Sequence, residues 1–207
     1  MAARIDHAIT SGTFSLDGET FDVDNNVWVI GDKWDCIVID APHDLMAIVR
    51  LIDGRRVKAI ICTHAHDDHV RWAPALGRVV QAPVLLHADD LPVWELTHDT
   101  PPEGRLTDGQ AFTIAGDTVR ILHTPGHAPG AVCLYVPSLN TVFTGDTLFN
   151  GGPGATGRSF SDADTLVASI RTKLFALPDD TVVKTGHGDD TTIGAEKVNL
   201  DGDRGDG

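Results

Sequence analysis

Within six consecutive residues, His64-Ala65-His66-Asp67-Asp68-His69, the chain carries three imidazoles and two carboxylates. Imidazole and carboxylate together suit divalent zinc, iron or manganese. Three more candidate ligands stand downstream, each just beyond an apolar run. They are His127 in Thr124-Pro125-Gly126-His127, Asp146 in Thr144-Gly145-Asp146-Thr147 and His187 in Thr185-Gly186-His187-Gly188. Loops at strand ends are where rigid scaffolds place chemistry, and the flanking glycines permit tight turns that aim a side chain inward. Five His and two Asp exceed the three protein ligands usual for a catalytic zinc. They suit two divalent ions about 3.5–4 Å apart, sharing a bridging carboxylate and a bridging hydroxide. In an extended turn His64 and His66 point the same way. A helix then begins, so Asp68 and His69 can face a second ion beside the first. No Cys has the spacing of a structural zinc site.

These residues need strands to carry them. Val57-Lys58-Ala59-Ile60-Ile61-Cys62 reads as a buried strand delivering the His/Asp cluster. Asn26–Ile30 and Cys36–Ile39 read as paired strands, with residues 12–23 as an edge hairpin around Asp17-Gly18. Asp40 ends the second of those strands with a charge, either as a helix cap or as a partner behind a metal site. Leu45, Ile48, Val49 and Ile52 have helical spacing over 43–53. A second helix is expected from within Asp67-Asp68-His69 to Gly77, shortened or kinked by Pro74. Pro83–Leu86 is another strand, and the Pro-broken stretch 89–104 leaves room for one short helix near 93–97. Beyond residue 110 the pattern is β-rich: strands at 111–114, 118–122, 131–136, 141–143 and 181–184, with one helix over 162–176. The alternation in the first half favours a layered α/β architecture.

At 207 residues the chain fits one domain, set at 1–196. The stretch 197–207, rich in Asp and Gly, is expected to be disordered. The formal charge of −14 argues against a nucleic-acid partner, which needs a basic face. No stretch approaches the roughly 18 apolar residues of a membrane span, and the first residues show no secretory h-region. Cys36, Cys62 and Cys133 are far apart in apolar runs and read as buried thiols of a reducing, cytoplasmic compartment.

Taken together, Thr63-His64-Ala65-His66-Asp67-Asp68-His69, Thr124-Pro125-Gly126-His127-Ala128-Pro129-Gly130, Thr144-Gly145-Asp146-Thr147-Leu148-Phe149 and Gly186-His187-Gly188 resemble the metallo-β-lactamase superfamily, most of all its short glyoxalase II-like hydrolases. The resemblance implies a four-layer αβ/βα sandwich with the metals at one edge. It implies that His64, His66 and His127 hold a first ion, that Asp68, His69 and His187 hold a second, and that Asp146 bridges them. It places Asp40 behind the ligands. The implied cofactors are two divalent ions, zinc first, with iron or manganese as alternatives. The implied substrate is a small acyl compound, an S-acyl derivative of a low-molecular-weight thiol such as glutathione or mycothiol. Asp68 is the expected catalytic residue, ligating and orienting the hydroxide. Arg158, the one cation of the Gly-rich loop 147–160, is the expected substrate contact.

Departures from the family pattern are visible. Val70-Arg71-Trp72 follows the Asp-His pair where Gly-Gly is common, and no helical extension like the glutathione-binding one of full-length glyoxalase II is seen. Rival activities on the same ligands are a lactonase, a β-lactam hydrolase, or a persulfide dioxygenase with one iron on His64, His127 and Asp146. The full ligand set argues against a non-catalytic metal-binding module.

Overall fold

A computed structural model describes residues 3–202. Its first sheet is built in chain order from β1 (Arg4–Leu16), β2 (Glu19–Gly31), β3 (Asp35–Ile39), β4 (Arg56–Ile61), β5 (Val84–His87) and β6 (Gly104–Leu106). Helices α1 (Leu45–Ile52), α2 (Asp67–Val70), α3 (Ala73–Val80) and α4 (Leu91–Trp94) fall between its strands. The first three strands are antiparallel and the last four run parallel. There follow β7 (Ala111–Ile114), β8 (Asp117–His123), β9 (Val132–Val136), β10 (Thr141–Gly145), a small ribbon of β11 (Leu148–Phe149) with β12 (Gly152–Pro153), α5 (Ala163–Ser169), β13 (Val182–Thr185), β14 (Thr191–Thr192) and α6 (Ile193–Gly202). The second sheet has the order β14-β13-β10-β9-β8-β7, with β10 and β13 parallel.

Strand alternation explains the layers. Along β2 and β3, Trp28, Ile30, Ile37 and Ile39 face inward and pack with Ile121, Leu134 and Phe143 of the other sheet. Their neighbours Val27, Val29, Cys36 and Val38 face outward and are covered by Ile48 of α1 and Leu76 of α3. The second sheet repeats the logic: Cys133, Val142 and Val183 face out onto Leu166 of α5 and Ile170 and Leu174 of the turn after it. Helix, sheet, sheet and helix thus stack as the expected four-layer α/β sandwich. Phe143 is fully buried between the sheets, where truncation to Ala would cost about 3–5 kcal/mol.

Several local expectations change. The hairpin expected at 12–23 and the strand expected at 26–30 are parts of one long ribbon, β1 with β2, of 13 residues each. The second helix is two: α2 stops at Val70, and Pro74 sits in the first turn of α3, where its missing N–H costs nothing. The expected tail also changes. Residues 197–202 continue α6, whose Ile193 and Leu200 pack on the outer core of the second sheet, while 203–207 lie outside the described residues. Among the described residues no helix is long and apolar enough to cross a membrane.

Candidate metal centre

The loops after β4, β8, β10 and β13 open at the same edge of the sandwich and carry all seven expected ligands. The sheets are stitched together there by backbone. Asn26 N–H donates to Gly186 O at 2.8 Å, and Val132 N–H to Thr63 O at 2.8 Å. Two glycines allow the loops to close up. Gly145 adopts φ +48°, and a Cβ there would stand 2.5 Å from Thr63 Oγ1. A Cβ on Gly186 would stand 2.2 Å from Asp146 Oδ1.

His64, His66 and His127 form one tight group, and Asp68, His69 and His187 another; His64, His69 and Asp146 overlap both. Asp146 touches members of each. Its Oδ2 lies 3.6 Å from His127 Nε2 and 3.3 Å from His187 Nε2, and its Oδ1 lies 3.2 Å from His69 Nε2. All but the partly exposed His187 are buried.

The outer nitrogens fix how the imidazoles face the centre. His127 Nδ1–H donates to Ala155 O and His187 Nδ1–H to Asp24 O, both at 2.7 Å. A carbonyl can only accept, so these nitrogens carry the protons. His69 Nδ1–H donates to the Asp40 carboxylate at 2.8 Å. Thr63 Oγ1–H donates to Asp40 at 2.8 Å and so accepts from His64 Nδ1–H at 3.1 Å. Four Nε2 lone pairs therefore point inward, toward carboxylates that also only accept. His66 is turned the other way: its Nδ1 lies 3.0 Å from both His64 Nε2 and His127 Nε2. Asp146 Oδ1 and His66 Nε2 are buried without a hydrogen bond. Converging lone pairs and two anions in a buried space require positive charge between them. Two divalent ions fit that donor set, and protons on the imidazoles can stand in for them.

The charge state follows the same logic. Burial holds His64 well below the usual imidazole range and brings His66 down to about 3, so both are neutral. Burial also opposes charge on His69, yet Asp146, Asp68 and Asp40 together outweigh it and hold the ring well above that range. At His187 burial is likewise outweighed, by Asp146 and Asp68, and the ring is pushed up to about 10. Burial works against the Asp68 carboxylate, but His69, His187 and Asn25 pull it down to about 2.

Asp40, whose role the sequence left between cap and partner, sits behind the ligands. It accepts from Thr63 N–H at 2.7 Å as well as from Thr63 Oγ1 and His69. Three further residues escaped the sequence reading. Asn25, fully buried, donates from Nδ2 to Asp68 Oδ2 at 3.0 Å and is oriented by His43, whose Nε2–H donates to its Oδ1 at 2.7 Å. Asp90, also fully buried, accepts from Ala65 N–H at 2.7 Å and Gly130 N–H at 2.5 Å, tying together the loops that carry His66 and His127. The one available signal was a pair of polar residues, Asn25-Asn26, leading directly into an apolar strand. Asp90 had none.

Above the centre lies a cleft of about 410 Å³, walled by Phe14, Phe21, Val23, Phe149 and Arg158, with His66, Asp68, His127, Asp146 and His187 at its floor. Arg158 does reach this cleft. Its guanidinium lies over the Phe21 ring at 4.6 Å and over Phe14 at 5.6 Å, and pairs with Glu19 at 3.1 Å. The three thiols are elsewhere and buried; burial raises Cys36 and Cys133 to about 11, which leaves them protonated and poor nucleophiles.

Comparison with known proteins matches residues 20–187 to the family described as the metallo-beta-lactamase superfamily. The hydroxyacylglutathione hydrolase GloC of Haemophilus influenzae is 32% identical, over 80% of this chain and 86% of that protein. The crystal structure of BLEG-1 B3 metallo-beta-lactamase superposes with a TM-score of 0.75 at 30% identity, covering 90% of this chain and 95% of that one. TTHA1623 in a di-iron-bound form gives a TM-score of 0.75 at 30% identity, covering 91% and 96%.

Proposed function

The chain belongs to the metallo-β-lactamase superfamily, and from that premise we propose that it is a dinuclear metal-dependent hydrolase of thioesters, of the S-acyl derivatives of a small thiol such as glutathione or mycothiol. The observation that carries this reading is the position of Asp146, with oxygens within 3.2–3.6 Å of His69, His127 and His187, between two groups of ligands. His64, His66 and His127 would hold one ion, Asp68, His69 and His187 the other, and Asp146 both. Zinc suits this set, and the di-iron form of TTHA1623 makes iron the alternative. When bound, such ions supply Lewis acidity toward a carbonyl oxygen and a hydroxide available near neutral pH.

The chain's own residues supply the rest. Asp68 lines the cleft and stays ionised down to about pH 2, so it is a standing acceptor that orients a water proton. Asn25 Nδ2–H donates to Asp68 Oδ2, the oxygen that also faces His187, and keeps the carboxylate from turning away. Phe14, Phe21 and Phe149 exclude water from the acyl group, which strengthens every charge interaction beneath them. Arg158, stacked on two of those rings, contacts the part of the substrate that projects from the cleft. A thiolate leaves without needing a proton, which suits a floor made of acceptors and bases. The likeness to GloC supports the thioester, and the likeness to BLEG-1 favours a β-lactam as the second reading.

Metal analysis combined with a hydrolysis panel tests the proposal. Two ions per chain and turnover of an S-acyl thiol well above that of lactones and β-lactams is the expected result. One iron per chain with oxygen consumption on a persulfide would overturn it.

A further inference from the structure

A second cluster of metal-ligating side chains lies away from the centre. His87 ends β5 in one sheet, His123 ends β8 in the other, and Asp89 stands in the turn after β5. One ligand atom from each falls within 4.8 Å of the others. Asp89 Oδ2 lies 3.7 Å from His87 Nδ1 and 4.0 Å from His123 Nε2. Around a tetrahedral zinc with ligand bonds near 2.1 Å, neighbouring ligand atoms are about 3.4 Å apart. The carboxylate oxygen is thus already within about half an ångström of its place. No step of thioester hydrolysis at the dinuclear centre uses these residues.

We propose that His87, Asp89 and His123 form an additional metal site that takes one borderline divalent ion, zinc or nickel, and cross-links the two sheets. Two imidazoles and a carboxylate select such ions over magnesium or calcium. The rings now stack, with centroids 3.9 Å apart and planes at 14°. Parallel rings cannot both aim a lone pair at one ion, so loading tilts them apart. Their side chains are largely covered, at 12% and 22% exposure, and the movement is open only on the solvent side, toward the exposed Asp89. The ion replaces two weak or exchangeable contacts: a 3.3 Å bond from Asp89 N–H to His87 Nδ1, and a 3.0 Å bond from His123 Nε2–H to Pro129 O. Asp108, which accepts from His123 N–H at 2.9 Å and pairs with Lys173 at 2.6 Å, fixes the backbone of His123. An ion here ties the end of β5 to the end of β8 directly, a link between the sheets additional to the backbone bonds Asn26–Gly186 and Val132–Thr63.

The test uses the holoprotein with its catalytic ions in place, titrated with zinc or nickel chloride. Metal per chain is counted after free ion is removed, and the thermal midpoint is followed. The wild type should take up one equivalent more than His87→Gln/His123→Gln, and should gain about 5–10 °C when free ion exceeds its Kd about 100-fold. Asp89→Asn, at an exposed position, should weaken the extra equivalent at least ten-fold and leave the other ions bound. Equal stoichiometry in wild type and both variants, or uptake that does not saturate at one added equivalent, would overturn the site. Because the count is made above the catalytic ions, it is independent of what the centre does.

Discussion

Asp40 Oδ2 accepts the Nδ1 proton of His69 at 2.8 Å, on the side of the ring away from the cleft. Asp40 itself adopts a left-handed φ of 62°, a conformation Asp tolerates better than most residues. The carboxylate thereby sets which His69 nitrogen faces the ligands and makes it more basic. Asp40→Asn is expected to place an N–H against either that ring proton or the Thr63 donors. Groups of this kind typically contribute 10–100-fold to metal affinity. Calorimetric zinc titration of wild type and Asp40→Asn checks this; affinity within two-fold would show that Asp40 does not set the tautomer.

Asp90 holds the His66 and His127 loops through two backbone N–H groups. An asparagine in its place would offer one acceptor oxygen and one NH2, leaving an N–H opposed. Asp90→Asn should therefore cost about 1–3 kcal/mol of stability. Burial pushes the Asp90 carboxyl up to about 6, against the pull of those two N–H groups. In the unfolded chain it titrates near 3.9. Between the two values the folded state holds more protons, so this group's contribution is complete below about 4 and lost as pH rises through about 6. Urea unfolding of metal-free protein at pH 4 to 7 should show a shallower fall with pH in Asp90→Asn than in wild type.

The candidate ligands were legible in the sequence because each follows a strand end, and three of them, His127, Asp146 and His187, stand directly after a glycine. His127, Asp146 and His187 needed no long-range information to be nominated, and the alternating apolar runs that deliver them gave the layers. What supports the ligands was not legible. Asn25 and Asp68 are 43 residues apart, and Asp90 lies 25 and 40 residues from its two partners. A lone Asn or Asp carries no spacing that names a distant partner. The β1–β2 ribbon was cut short because its outer half is exposed, so alternation fades there. The pairing of Arg158 with Glu19 spans 139 residues and rests on where that ribbon folds over.

Filling the centre must displace protons. In the metal-free protein at pH 7, His69 and His187 are both charged, the second with a value of about 10, while His64 and His66 are already neutral. Only neutral imidazole binds a metal. Loading two zinc ions at pH 7 should release about two protons per chain from the imidazoles, and one more where a bound water ionises, and affinity should rise with pH up to about 10. Calorimetry in two buffers of different ionisation enthalpy counts the protons; a count of zero would contradict the charge states drawn from the acceptor cluster.

Arg158 stacks on Phe14 and Phe21 at the cleft wall and is half held by Glu19. A contact made equally in ground and transition states changes KM and leaves kcat alone. Arg158→Ala should raise KM roughly five-fold, about 1 kcal/mol, the size of one partly exposed charged contact to the substrate, with kcat within about two-fold. Phe21→Ala, which removes the platform, should act the same way. A fall in kcat without a change in KM would place Arg158 in the chemistry instead.

Asp68 faces the cleft floor with one oxygen bonded by Asn25 and close to His187, at 3.0 and 3.3 Å. Two roles converge on it, ligand and proton acceptor, and Asn separates them. Asp68→Asn retains an oxygen for a metal but loses the charge that accepts a proton. Its metal content should stay near two per chain if a carbonyl oxygen suffices for ligation, while kcat falls by about 10²–10⁴, the usual contribution of a positioned acid or base. Asp68→Ala and His66→Ala remove a ligand outright and should abolish turnover with the far-ultraviolet circular dichroism unchanged, because the sandwich core lies below the site. Asn25→Ala should give a smaller loss, since it frees the Asp68 carboxylate to rotate without removing it. Wild-type turnover in metal-loaded Asp68→Asn would leave Asp68 a ligand only and move proton acceptance to another cleft residue.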